Sequence, residues 1–137
     1  MASEEGGARV WSLNFRLSTG VLDDAAAEMH ALGIEVKEFF VLDGVDEQPY
    51  PAQIAKRLAM SRPAVTLHLR NLERKGLLRR EIDPTDLRRH RLTFTSKGKV
   101  VTSKARKVLS DRYGARLARL DDGEQAEFSR LLEKLTE

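Results

Sequence analysis

The sequence predicts a mainly α-helical chain interrupted once by a small β-hairpin, and three observations point there. Apolar residues recur at helical spacing through both terminal thirds. Two short helical segments with proline at or near their starts stand in the middle, and directly after them an Asp-Pro turn separates two short runs of β character. The second of those segments, Ser61 to Gly76, organises the rest. Ser61 is a good N-cap, Pro63 is tolerated in the first turn, and Gly76 after Arg74 and Lys75 is a C-terminal stop with cations at the negative end of the dipole. Val65, Leu69 and Leu72 form one apolar stripe at i, i+4 and i+7, which turns Thr66, Leu67, Arg70 and Asn71 outward.

Taken in order, residues 1–7 are polar and expected to be disordered. From Ala8 to His30 the positions Val10, Leu13, Leu17, Val21, Ala25 and Met29 predict a long helix interrupted at Gly20, with Trp11 and Phe15 on a second flank. That is more apolar surface than one small globule needs, so part of it is expected to meet another subunit. Gly33 ends the helix, and Ile34 to Val45 reads as a compact second one carrying Phe39, Phe40 and Leu42. Residues 43–48 are turn-like, and Pro49-Tyr50-Pro51 stiffens the approach to a short helix over 52–58 with Ile54, Ala55 and Leu58 apolar. Separated by a tight break at 59–61, this helix and the organising one have the dimensions of a helix-turn-helix.

After Gly76 the period changes. Leu77–Ile82 and Arg89–Phe94 read as strands joined by the turn Asp83-Pro84-Thr85-Asp86, a hairpin with an arginine-rich tip. Thr95 or Ser96 then caps a long helix to about Leu120. Asp121, three residues before Glu124, opens a last helix carrying Phe128, Leu131, Leu132 and Leu135.

With 137 residues the chain is one domain's worth, and 41% hydrophobic with 33% charged residues describes an ordered, charge-rich protein. No apolar run reaches a membrane span, and the acidic N-terminus is unlike a signal peptide, so a cytoplasmic location is expected. The absence of cysteine excludes disulfides, thiolate zinc sites and thiol redox switching. Net charge is only +3, but residues 56–107 hold sixteen Lys or Arg against four acids, a local +12 that leaves −9 elsewhere. Such segregation makes a basic face suited to phosphate. An acidic protein partner or anionic lipid would be served equally by charge alone.

Candidate sites follow. The outward face of the central helix carries the groups that read base edges: Arg62 and Arg70 for guanine, Thr66 and Leu67 for thymine methyls, with Asn71 toward the edge. His30, His68 and His90 lie on three separate elements with no ligand spacing, so no metal site is expected. No nucleophile, phosphate-cradling glycine loop or His-acid pair supports catalysis, and no cofactor is called for.

In this order of elements, the chain resembles the MarR family of winged-helix bacterial transcription regulators. The resemblance is carried by Leu69, Leu72, Glu73, Lys75, Gly76 and Leu77, then Asp83-Pro84, Asp86, Arg88, and Leu92 through Thr95, where the family has an Asp-x-Arg element and an aliphatic-Thr-hydrophobic-Thr close. It implies a winged helix-turn-helix lobe over about 34–95, within a single domain over 8–137 whose helices over about 8–30 and 96–137 dimerise. It further implies a homodimeric repressor on a pseudopalindromic double-stranded DNA operator, released by a small aromatic effector. Arg88 would enter the minor groove with Asp86 orienting it, and Ser61, Arg89, Arg91 and Lys97 would meet phosphates. Trp11, Phe15, Phe39, Phe40 and Tyr50 are the aromatic candidates for an effector pocket. The chain departs from the family at Leu67, where a basic residue is frequent. The alternative is a winged-helix interaction module that binds protein or nonspecific nucleic acid through the same basic face.

Overall fold

The computed structural model describes residues 4–137 and contains six helices and one two-stranded antiparallel sheet among them. In chain order these are α1 (Glu4–Ala31), α2 (Val36–Asp43), α3 (Pro51–Leu58), α4 (Arg62–Arg74), β1 (Leu78–Ile82), β2 (His90–Phe94), α5 (Ser96–Leu117) and α6 (Asp122–Thr136). The chain divides into two compact units, one over 26–107 and one made of residues up to 25 together with 108–137.

The 26–107 unit holds nearly all the buried apolar side chains. Phe39, Val41 and Leu42 of α2, Ile54 and Ala55 of α3, and Val65, Leu69 and Leu72 of α4 are buried; the α4 stripe stands as its spacing predicts, whereas Val41 takes the core place expected of Phe40, and Phe40 and Leu58 are half-buried. Truncating a fully buried leucine such as Leu69 to alanine costs about 2–5 kcal/mol in cores of this kind. Between α3 and α4 the chain turns in three residues. Ala59 takes the left-handed conformation at φ 52, the one non-glycine among the described residues with positive φ, while the Met60 amide donates to the Ala55 carbonyl at 3.0 Å.

Helix α4 ends as its composition predicts. Gly76 adopts φ +74, and the Leu77 amide reaches back five residues to the Leu72 carbonyl at 3.0 Å, which satisfies one of the last free carbonyls. The hairpin follows at once, with Leu78 opposite Phe94, Arg80 opposite Leu92 and Ile82 opposite His90. The β2 amide of Leu92 donates to the Pro49 carbonyl at 2.7 Å, so the hairpin is tied to the segment ahead of α3.

At the base of the hairpin, three elements converge on two peptide groups. The Thr95 amide donates to the Leu77 carbonyl at 3.1 Å, and its hydroxyl donates to the Gly76 carbonyl at 2.6 Å while accepting from the Gly98 amide at 2.9 Å. Thr95 is thus the cap of α5 and a clamp on the end of α4. Gly98 is buried there, and a Cβ on it would lie 1.9 Å from the Leu77 carbonyl oxygen.

In the other unit, α1 runs unbroken through Gly20, contrary to the expected interruption. The physical reason is visible: the Arg116 guanidinium, paired with Asp24 at 3.0 Å, lies where a Gly20 side chain would be. Helix α1 also begins earlier than expected, so residues 4–7 are helical and not disordered, and residues 1–3 of that expectation lie outside the described residues. Between α5 and α6, Gln125 donates to the Leu117 and Leu120 carbonyls, and Asp121 and Glu124 form the reciprocal capping box read from the sequence. Val10, Trp11, Leu13 and Phe15 on α1 and Leu131 and Leu135 on α6 are exposed in the single chain. No helix among the described residues is long and apolar enough to cross a membrane.

Two substitutions separate backbone strain from close packing. Gly98→Ala is expected to lower unfolding stability by about 3 kcal/mol or more, because the atom it meets is main chain and cannot rotate away. Ala59→Gly should leave stability unchanged or raised, since only glycine occupies the left-handed region without cost. Urea melts of both variants read the two effects.

Candidate nucleic-acid interface

The interface is built from the first turns of α4 outward. Ser61 caps the helix, its hydroxyl accepting from the Ala64 amide at 3.3 Å, which fixes where the helix starts and so which side chains face out. Arg62, Leu67 and Arg70 are exposed, with Leu67 at 57%, an unusual position for leucine unless something covers it. Thr66 is half-buried. Asn71 and His68 rotate to the flank, where they line a groove with Glu35, Lys37, Arg74 and Lys75.

Beside α4 stands the hairpin, with Arg79, Arg80, Arg88, Arg89 and Arg91 exposed along it. Its tip is shaped by two acids. Asp83, almost wholly buried, accepts from the Thr85 amide at 2.8 Å, the Thr85 hydroxyl at 2.7 Å and the Arg89 Nε at 2.8 Å. The Tyr50 phenol also acts on the Asp83 carboxyl. The bonds from Thr85, then those from Tyr50 and Arg89, outweigh burial and hold the Asp83 carboxyl well below the usual carboxylate range. The same contact raises the Tyr50 phenol above its ordinary value and strengthens the protonation of Arg89. Arg89 completes the arrangement by lying 3.9 Å above the Tyr50 ring centroid, within cation–π range.

Asp86 acts on backbone and not on side chain. Its carboxylate accepts from the Arg88 amide at 3.0 Å, an Asx turn, and its carbonyl accepts from the Arg89 amide at 3.2 Å. Asp86 therefore fixes the turn from which Arg88 projects, through the Arg88 amide and not its guanidinium. Between α4 and the hairpin lies an open groove of about 370 Å³ lined by Tyr50, Arg62, Thr66, Arg80, Arg89 and His90 among others. A capped helix with an exposed polar face, a basic hairpin at its side and a cationic groove between them is an arrangement that fits a duplex.

Residues 34–90 match the family model described as MarR family. Over that segment the chain is similar to the MarR family. An HTH-type transcriptional repressor of Mycobacterium tuberculosis is 29% identical over 125 residues, covering 90% of both chains. A Mycobacterium tuberculosis MarR family protein solved in complex with p-aminosalicylic acid matches with a TM-score of 0.78 at 27% identity, covering 92% of this chain and 97% of that one. The complex of a Mycobacterium tuberculosis MarR family protein with DNA matches with a TM-score of 0.77 at 27% identity, covering 92% and 96%.

In this chain the cations read from the sequence divide into two groups. Arg62, Arg70 and Arg88 are exposed, and among the described residues none of the three guanidiniums meets a carboxylate. Others serve the lobe itself: Lys97 donates to the Lys75 carbonyl at 3.2 Å, Arg80 pairs with Glu73, Lys75 with Glu38 at 2.6 Å, and Arg106 with Asp43 at 2.8 Å. The aromatic candidates divide too. Phe39 is core, Phe40 is half-buried beside it with ring centroids 6.3 Å apart, and Tyr50 is engaged by the wing, whereas Trp11 and Phe15 stack on the exposed face of α1 at 6.3 Å. Sequence reasoning missed Asp83 as the wing's anchor; its signal was the Asp-Pro-Thr turn, but the Tyr50 partner lies 33 positions earlier and leaves no local trace. Among the described residues no group of three metal-ligating side chains converges.

The low Asp83 value sets a pH dependence. A carboxyl whose native value is depressed contributes stability that is complete above its unfolded value, about pH 4, and is lost as the pH falls below that toward the native one. The melting temperature of the wild type should therefore drop below about pH 4. Asp83→Asn should melt lower at neutral pH and lose less on acidification, and parallel curves for the two proteins would show that the Asp83 contacts do not form.

Proposed function

We propose that this protein is a homodimeric, sequence-specific regulator of transcription, a repressor that binds a pseudopalindromic DNA operator in the cytoplasm, without catalysis, and is released by a small aromatic acid. The observation that carries the reading is the outer face of α4, where Ser61 fixes the start and Arg62, Leu67 and Arg70 stand exposed next to a hairpin that projects Arg88. An Arg, a Thr and a Leu so placed suit guanine edges and thymine methyls, and Arg88 suits a narrow minor groove. The Mycobacterium tuberculosis relatives support this reading, having been solved with DNA, with p-aminosalicylic acid and with salicylic acid. The exposed apolar residues of α1 and α6 are the surface for the second copy. Two copies place two α4 helices in successive major grooves only when their separation matches one turn of DNA, about 34 Å, so a ligand that binds better to another separation favours release.

A competition gel shift on the DNA upstream of the protein's own gene tests this. Binding should survive excess random duplex, weaken steeply with salt, and fall roughly ten- to hundredfold in Arg70→Ala. Arg88→Ala should weaken binding chiefly where the flanks are A·T-rich. Equal binding to random duplex would instead leave a nonspecific nucleic-acid module, and sedimentation as a monomer at micromolar concentration would remove the dimer from the account.

A further inference from the structure

With α4 in a major groove and the hairpin tip in the adjoining minor groove, the one phosphate chain that separates those grooves has to cross between the two elements. The space it crosses is the groove lined by Tyr50, Arg62, Thr66, Arg80, Arg89 and His90. Within it Arg89 differs from the other cations. Arg80 spends its Nε on Glu73, and the Arg62 side chain projects from α4 without a carboxylate to hold it. Arg89 has its Nε bound to Asp83 at 2.8 Å and one face of its guanidinium on the Tyr50 ring at 3.9 Å, yet its side chain remains 47% exposed. A guanidinium held at one edge and one face still has its terminal N–H groups to offer, in one orientation, to a phosphate oxygen.

Tyr50 is the far support of this arrangement. It is the N-cap residue of α3, where it makes no side-chain cap bond; its ring instead carries the Arg89 guanidinium. The neighbouring Pro49 carbonyl accepts from Leu92 at 2.7 Å, and the Asp83 amide donates to the Arg89 carbonyl at 3.1 Å. Hairpin tip, hairpin strand and the start of α3 are thereby joined through three side chains and two main-chain bonds. The wing is not a free ribbon; its tip is braced against the helix-turn-helix.

We propose that Tyr50 and Asp83 are positioning residues that hold Arg89 as a clamp on the single phosphate between the major-groove and minor-groove contacts of each half-site. Their purpose is preorganisation: the side chain is fixed before DNA arrives, so less rotamer freedom is lost on binding. Arg89 carries no base information, and its contribution is uniform across operator sequences.

This inference rests on the proposed DNA-binding function and is tested by anisotropy titrations of the full-length protein on its operator. Arg89→Ala should weaken binding several-fold on operator and mutated operators alike and lower the salt slope by about one per protomer. Tyr50→Leu should weaken binding in the wild-type background and add nothing in the Arg89→Ala background, whereas Tyr50→Phe, which keeps the ring, should lie between. A neutral methylphosphonate at the phosphate between the two grooves should cost the wild type several-fold and cost Arg89→Ala nothing. That last readout does not respond to a merely structural role. If the methylphosphonate penalty is the same in wild type and Arg89→Ala, or if the Tyr50→Leu and Arg89→Ala losses multiply, the clamp is overturned while operator binding stands. If the wild type shows no operator preference at all, both the function and the clamp fall.

Discussion

Everything that presents the outer face of α4 beside the hairpin depends on a few hydrogen bonds around the Gly76 and Leu77 carbonyls. The end of α4, the return strand β2 and the first turn of α5 meet there, and Thr95 serves all three with one amide and one hydroxyl. Leu77 is buried, so a missing partner for its carbonyl would cost more than the bond itself contributes. Gly98 allows the approach because nothing larger than a hydrogen fits against the Leu77 carbonyl. The angle between recognition helix and wing is therefore a property of main-chain packing, and the polar side chains on the outside are free to be chosen for DNA.

Charge has to be apportioned in the same way. Residues 56–107 carry sixteen basic side chains, but a basic side chain that closes an internal bond is only partly available to a phosphate. Arg57 donates to the Phe40 carbonyl over Gly44, Arg106 ties α5 to Asp43, Lys75 neutralises the buried Glu38, and Lys97 finishes α4. These bonds help hold the lobe together. The exposed Arg62, Arg70 and Arg88, on α4 and the hairpin tip, are among the cations that meet no carboxylate.

Local signals were legible in the sequence wherever a residue acts on its near neighbours. The Ser61 cap, the Gly76 stop, the Asp121–Glu124 box and the apolar stripe of α4 all stand where spacing puts them. The misreadings have long-range causes. Gly20 looks like a helix break until Arg116, 96 positions later, is seen to occupy its missing side chain's place. Tyr50 reads as one more aromatic until the wing folds back to it, and Gly98 as a weak helix residue until Leu77 is beside it. Lys97 reads as one more exposed cation, and in the structure its ammonium also donates to the Lys75 carbonyl, with further N–H groups left to offer.

The claim at the centre is that two copies of one capped, braced lobe face the same side of a duplex at the helical pitch. Hydroxyl-radical footprinting of the operator measures it directly. The account predicts two protected tracts with centres about one turn, 10–10.5 base pairs, apart, each flanked by a protected minor groove. A single tract, or even protection along the whole duplex, would contradict it.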